Sequence, residues 1–147
     1  MAIYIGIDPG DNTGVAVWDT RLRAFRLLAT MPLHRAMAEV KRWMYACALS
    51  PVHTNFVVVF EDARQRTWFA PERNVSEYRG KLMGAGAAKR DAKIWEEYLQ
   101  DLGVAFSAHK PQPGTTKWKA DYFAKITGYT GRTSDHSRDA AMLVFQR

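Results

Sequence analysis

The stretch from Ile3 to Asp19, IYIGIDPGDNTGVAVWD, places a carboxylate where a buried strand runs out. Ile3, Tyr4, Ile5 and Ile7 form a β-prone run of the kind covered on both faces of a sheet. Asp-Pro-Gly then interrupts it. Pro9 lacks an N–H and fixes φ, Gly10 tolerates positive φ, and Asp11-Asn12 favours a further turn. Gly14 to Trp18 resumes strand character, so the chain opens as two strands joined by a tight turn. Desolvating Asp8 at the end of a central strand is costly. It either caps the turn through backbone N–H groups or serves a metal or phosphate site, and the rest of the chain must decide.

Ala24 to Ala29 reads as a third strand, completing a meander through a turn at Thr20 to Arg23. Pro32 opens a helix in which Leu33, Ala36, Met37, Val40, Met44 and Cys47 recur at spacings of three and four, and Ser50-Pro51 ends it. Asn55 to Phe60 is the strongest buried-strand signal, and it stops at Glu61-Asp62. If this fourth strand lies parallel to the first, Glu61 and Asp8 share the sheet edge where sites form in α/β folds.

Past Glu61, residues 62 to 75 read as a loop interleaving basic and aromatic side chains: Arg64, Arg66, Trp68, Phe69 and Arg73. Such a mixture suits phosphate contacts and base stacking, although Trp68 and Phe69 suit a core equally well. A long helix from about Ser76 to Leu102 adds Arg79, Lys81, Lys89 and Arg90 around a small-residue patch, Gly84 to Ala88. Glycine weakens a helix by about 1 kcal/mol relative to alanine, so the patch predicts close approach of another backbone, from this chain or a partner. From Arg64 to Lys93 eight basic residues face three acidic ones, which concentrates the +6 net charge just beyond Glu61.

Val104 to Ala108 makes a fifth strand, followed by a loop from Lys110 to Gly114. Thr115 or Thr116 is positioned to cap a helix bearing Trp118, Tyr122 and Phe123 on one side and Lys117, Lys119 and Lys125 elsewhere. In the final segment, SDHSRDAAMLVF, Thr133 or Ser134 caps a helix that puts His136 and Asp139 on one face. Asp135 in its first turn suits the helix dipole, whereas His136 and Asp139 together suit ligation or proton transfer.

At 147 residues and 47% hydrophobic content, the chain is expected to form a single domain over residues 1–147. Cys47, the lone cysteine, falls on an apolar helix stripe and excludes an internal disulfide. The N-terminus lacks the pattern of a signal peptide and no apolar run is long enough to span a bilayer, so a soluble cytoplasmic protein without membrane association is expected.

In motif order, GIDPG with a following TG, then FED, then HSRD, the chain resembles the RuvC family of Holliday-junction resolvases within the ribonuclease-H-like superfamily. Its compactness is similar to that of phage-type members. The resemblance implies an α/β, ribonuclease-H-like fold: a central mixed five-stranded sheet, an antiparallel three-strand meander plus two parallel strands, flanked by helices. It implies that Asp8, Glu61 and Asp139 bind Mg²⁺, two ions with Mn²⁺ able to substitute, and that His136 occupies a position that is histidine or acidic among members. A homodimer built partly by the long helix, and paired nicks in four-way DNA junctions, are further implications. Arg64, Arg66, Trp68, Phe69, Arg73, Arg79, Lys81, Lys89, Arg90, Lys110, Lys117 and Lys119 are the expected DNA contacts. Competing readings are a ribonuclease-H-like nuclease for other branched DNA or structured RNA, and a junction-binding module without catalysis. An actin-like ATP-binding fold would need a second lobe.

Overall fold

The Ile-rich opening run and the Asp-Pro-Gly turn generate β1 (Ala2–Asp8) and β2 (Asn12–Asp19), paired antiparallel so that Asp8 lies opposite Gly14. The computed structural model describes residues 1–66, 75–111 and 118–147. Thr13 secures the turn by donating its hydroxyl to the Gly10 carbonyl at 2.6 Å. At the next turn Asp19 Oδ1 accepts the N–H groups of Arg21 and Leu22, each at 3.0 Å, and β3 (Ala24–Pro32) returns along β2. β3 runs three residues beyond the expected Ala29, so that Pro32 both ends the strand and precedes α1 (Leu33–Ala48). Its fixed φ and missing N–H suit that boundary.

β4 (Asn55–Glu61) inserts parallel to β1, and β5 (Ala105–His109) adds parallel to β4. The sheet order is β3-β2-β1-β4-β5, a mixed five-stranded sheet in an α/β fold. β5 begins one residue later than its apolar run predicts, because Val104 still belongs to the turn after Gly103, whose φ is +65°.

Each sheet face carries its own core. On one side Ile3, Ile5, Ile7, Val15, Val17, Val58 and Phe60 pack with Ala36 and Val40 of α1 and with Ala92, Trp95 and Leu99 of α2 (Val75–Leu102). On the other, Ala16, Trp18, Leu28 and Val59 meet Phe123 of α3 (Ala120–Thr127) and Ala140 and Ala141 of α4 (Asp135–Met142). α4 starts at Ser134, whose side chain accepts the Ser137 N–H at 3.1 Å while Ser137 Oγ accepts the Ser134 N–H at 2.9 Å, a reciprocal cap. α3 follows Lys119 without a side-chain cap; the expected capping threonines, Thr115 and Thr116, lie outside the described residues.

Two glycines let α4 lie unusually close to the sheet. A Cβ built on Gly6 would sit 2.0 Å from the Ala140 carbonyl oxygen, and one on Gly14 2.0 Å from that of His136. The periods match: four helical residues rise about 6 Å, and two strand residues span about 6.6 Å, the offset between Gly14, beside Asp8, and Gly6.

Gly84 and Gly86 behave oppositely. Neither has anything within 4 Å of a built Cβ, so the predicted close approach within the chain is absent among the described residues. A helix of 28 residues is about 42 Å long, whereas the seven-residue central strands span about 23 Å. The buried residues of α2 begin only at Asp91, and its first half overhangs the sheet.

Gly6→Ala should therefore lower unfolding free energy by about 1–3 kcal/mol, through forced displacement of α4. Gly84→Ala, in open helix, should raise it by roughly 1 kcal/mol. Urea unfolding of both variants checks the contrast; a neutral Gly6→Ala would contradict the close approach.

Candidate metal centre

The sheet register brings the two strand-end carboxylates together. Ile7 pairs with Phe60, so Asp8 and Glu61 follow as neighbours at the end of adjacent parallel strands, about 4.8 Å apart along the sheet. Ile7 and Phe60 point into the core beneath α1 and α2, and alternation turns Asp8 and Glu61 to the face that α4 covers. There His136 Nδ1 stands 2.8 Å from Asp8 Oδ2, an imidazole N–H suited to donate to a carboxylate. The seating of α4 on Gly14 and Gly6 makes that contact, and Asp139 follows one turn along the helix.

Glu61 reports the electrostatics of the group. Its pKa is pushed up to about 7, first by burial and then by the negative charges of Asp8 and Asp139, with Arg66 opposing. Carboxylates of β1 and α4 thus both act on Glu61 of β4. Among the described residues, however, no three His, Cys, Asp or Glu side chains converge closely enough to hold a metal. The donor chemistry suits a hard divalent cation, since such ions take carboxylate oxygens and would offset the repulsion that raises Glu61. The side chains as placed, with Asp8 turned to His136, do not yet form a coordination shell.

Asp62, next to Glu61, has a different task. It is 4% exposed, caps the 3-10 turn Ala63–Gln65 and holds Arg64 through Nε at 2.8 Å and Nη2 at 2.9 Å. Those bonds keep its carboxyl below the usual range. Arg64 also reaches Glu96 of α2 at 2.7 Å, so this expected DNA contact instead fastens the loop after β4 to the long helix. Arg90 lies 3.4 Å from Asp91 but remains exposed. Arg66, Arg79, Lys81, Lys89, Lys110 and Lys119 are exposed. Trp68, Phe69, Arg73 and Lys117 lie outside the described residues.

Two supports of this edge carry little or no signal in the sequence. Arg138 is 6% exposed and donates to the Trp118 carbonyl, to Thr133 Oγ1 at 2.8 Å and to Asp135, tying the start of α4 to the segment before α3. A basic residue inside the HSRD motif was its only signal. His109, at the end of β5, pairs in register with Glu61, and burial and Arg147 hold its pKa below the ordinary histidine value. No sequence pattern marked it.

Folding raises the Glu61 pKa, so the folded protein keeps that proton to about pH 7 while the unfolded chain releases it near 4.5. Without a bound cation, Glu61 therefore costs stability progressively as pH rises through that window. Glu61→Gln should make the metal-free protein more stable than wild type at pH 8, with the difference closing toward pH 4. Urea midpoints across pH check this, and a less stable variant at pH 8 would contradict the assigned repulsion.

No protein-family model and no curated protein matches the chain.

Proposed function

We propose that the chain is a divalent-metal-dependent endonuclease of ribonuclease-H-like fold that resolves four-way DNA junctions by paired nicks. The observation carrying this reading is the action of Asp8 and Asp139 on Glu61, carboxylates carried by separate elements to one sheet edge. Such a set has little structural use, because like charges at a half-buried edge oppose folding unless a cation joins them.

Asp8, Glu61 and Asp139 would hold Mg²⁺, which when bound supplies an activated water and neutralises charge on the phosphodiester in the transition state. Asp8 and Glu61, on adjacent strand ends, would fix where that cation sits relative to the sheet. His136, bonded to Asp8 at 2.8 Å, orients that carboxylate and stands ready to take or deliver a proton. Arg66 brings positive charge to the same edge, where it acts on Glu61.

DNA engagement follows from the overhanging half of α2. Arg79 and Lys81 project there among exposed residues, with the exposed Lys89 and Arg90 just beyond, presenting charge to phosphates without base readout. The same half exposes Val75, Tyr78 and Leu82, spaced three and four apart and each more than half exposed. That stripe suits the second subunit of a homodimer, whose two-fold axis would match the two symmetric strands of a junction.

Asp8→Asn should abolish Mg²⁺-dependent nicking of a labelled mobile four-way junction, by at least about 10³-fold, while binding in Ca²⁺ persists. Denaturing gels of junction, flap, duplex and RNA–DNA hybrid check both activity and selectivity. Undiminished nicking by the variant would remove Asp8 from the site, and equal cutting of every substrate would remove junction selectivity.

A further inference from the structure

β5 extends the row of strand-end side chains by one strand. His109 pairs with Glu61 in the β4–β5 register, so Asp8, Glu61 and His109 stand on three neighbouring parallel strands at one edge and on one face. His109 Nε2 lies 2.9 Å from Arg147 Nη2. A guanidinium can only donate, so the imidazole accepts, with its proton on Nδ1.

Arg147 is fixed at two further points. Its Nε donates to the Leu143 carbonyl at 3.0 Å, and its backbone N–H to the Val144 carbonyl at 3.3 Å. Gln146, immediately before it, has a φ of 60°, in the left-handed region where a residue other than glycine is strained. That bend turns the chain after α4 back toward β5. The result is an oriented guanidinium at the same sheet edge as the carboxylates. Arg64 and Arg138 spend their charge on aspartate and glutamate side chains. The groups that orient Arg147, a carbonyl and a neutral imidazole, leave its charge available to an anion.

We propose that Arg147, held in place by His109, is a phosphate-positioning residue that takes the DNA backbone phosphate flanking the reacting one on the β5 side. This rests on the nuclease reading. A guanidinium offers a planar fork matched to two phosphate oxygens, and one already oriented loses less side-chain freedom on binding. Arg66 acts on Glu61 itself, so the two arginines divide the work between the reacting phosphate and its neighbour.

The test measures junction affinity in Ca²⁺ across a salt series, together with kcat and KM in Mg²⁺, for wild type, Arg147→Ala, His109→Ala and His109→Gln. Arg147→Ala should weaken binding about tenfold and reduce the slope of log K against log salt by about one, with KM rising more than kcat falls. His109→Ala should lose most of that affinity, and His109→Gln, whose amide oxygen still accepts, should recover it. Thermal unfolding of each variant separates these effects from loss of fold. Wild type that binds and cuts junctions, beside an Arg147→Ala variant with unchanged affinity and slope, overturns this inference alone. Wild type that neither binds nor cuts overturns the nuclease reading and this inference with it.

Discussion

The structure depends on how closely α4 lies on β1 and β2. Side chains ordinarily hold the backbone of a helix clear of the sheet that it covers. Here Gly6 and Gly14 remove those side chains where the Ala140 and His136 carbonyls press in. The helix can settle only in the register that matches both glycines, and that register puts His136 against Asp8 and Asp139 within electrostatic range of Glu61. A pair of glycines inside the first two strands is therefore what positions the candidate site.

Settling α4 there has an electrostatic consequence. Three carboxylates share one edge, and Glu61 among them keeps its proton to about pH 7. The fixed arginines nearby brace the elements that carry these carboxylates. Arg64 binds Asp62 to Glu96 and so holds the end of β4 to α2, while the buried Arg138 locks the entry to α4. Neither guanidinium is aimed at the carboxylate cluster itself. Of the arginines, Arg66 acts on Glu61, and it leaves the net shift of that carboxyl upward.

Local chemistry was legible where one residue dictates the outcome. The Asp-Pro-Gly turn, the β-prone runs, Pro32 before α1 and a cap at Thr133 or Ser134 all followed from residue type, and the parallel placement of β4 beside β1 made Asp8 and Glu61 neighbours as expected. What stayed hidden depends on tertiary placement. Gly84 and Gly86, conspicuous inside a helix, face open space, and Gly6 and Gly14 carry the close backbone approach. A glycine inside a strand pattern was the available signal. Arg64 looked like a phosphate ligand because nothing in the sequence shows that Glu96, a full helix away, reaches it. His109 and Arg147 meet only because β5 lies at one end of the sheet and Gln146 bends the chain back.

The central claim is that carboxylates from β1, β4 and α4 together form one cation site. An anomalous difference map from crystals grown with Mn²⁺ addresses it most directly. Density bonded to oxygens of Asp8, Glu61 and Asp139, with Asp8 drawn away from His136, is the predicted result. Crystals saturated with Mn²⁺ that show no density among those three side chains would contradict the account.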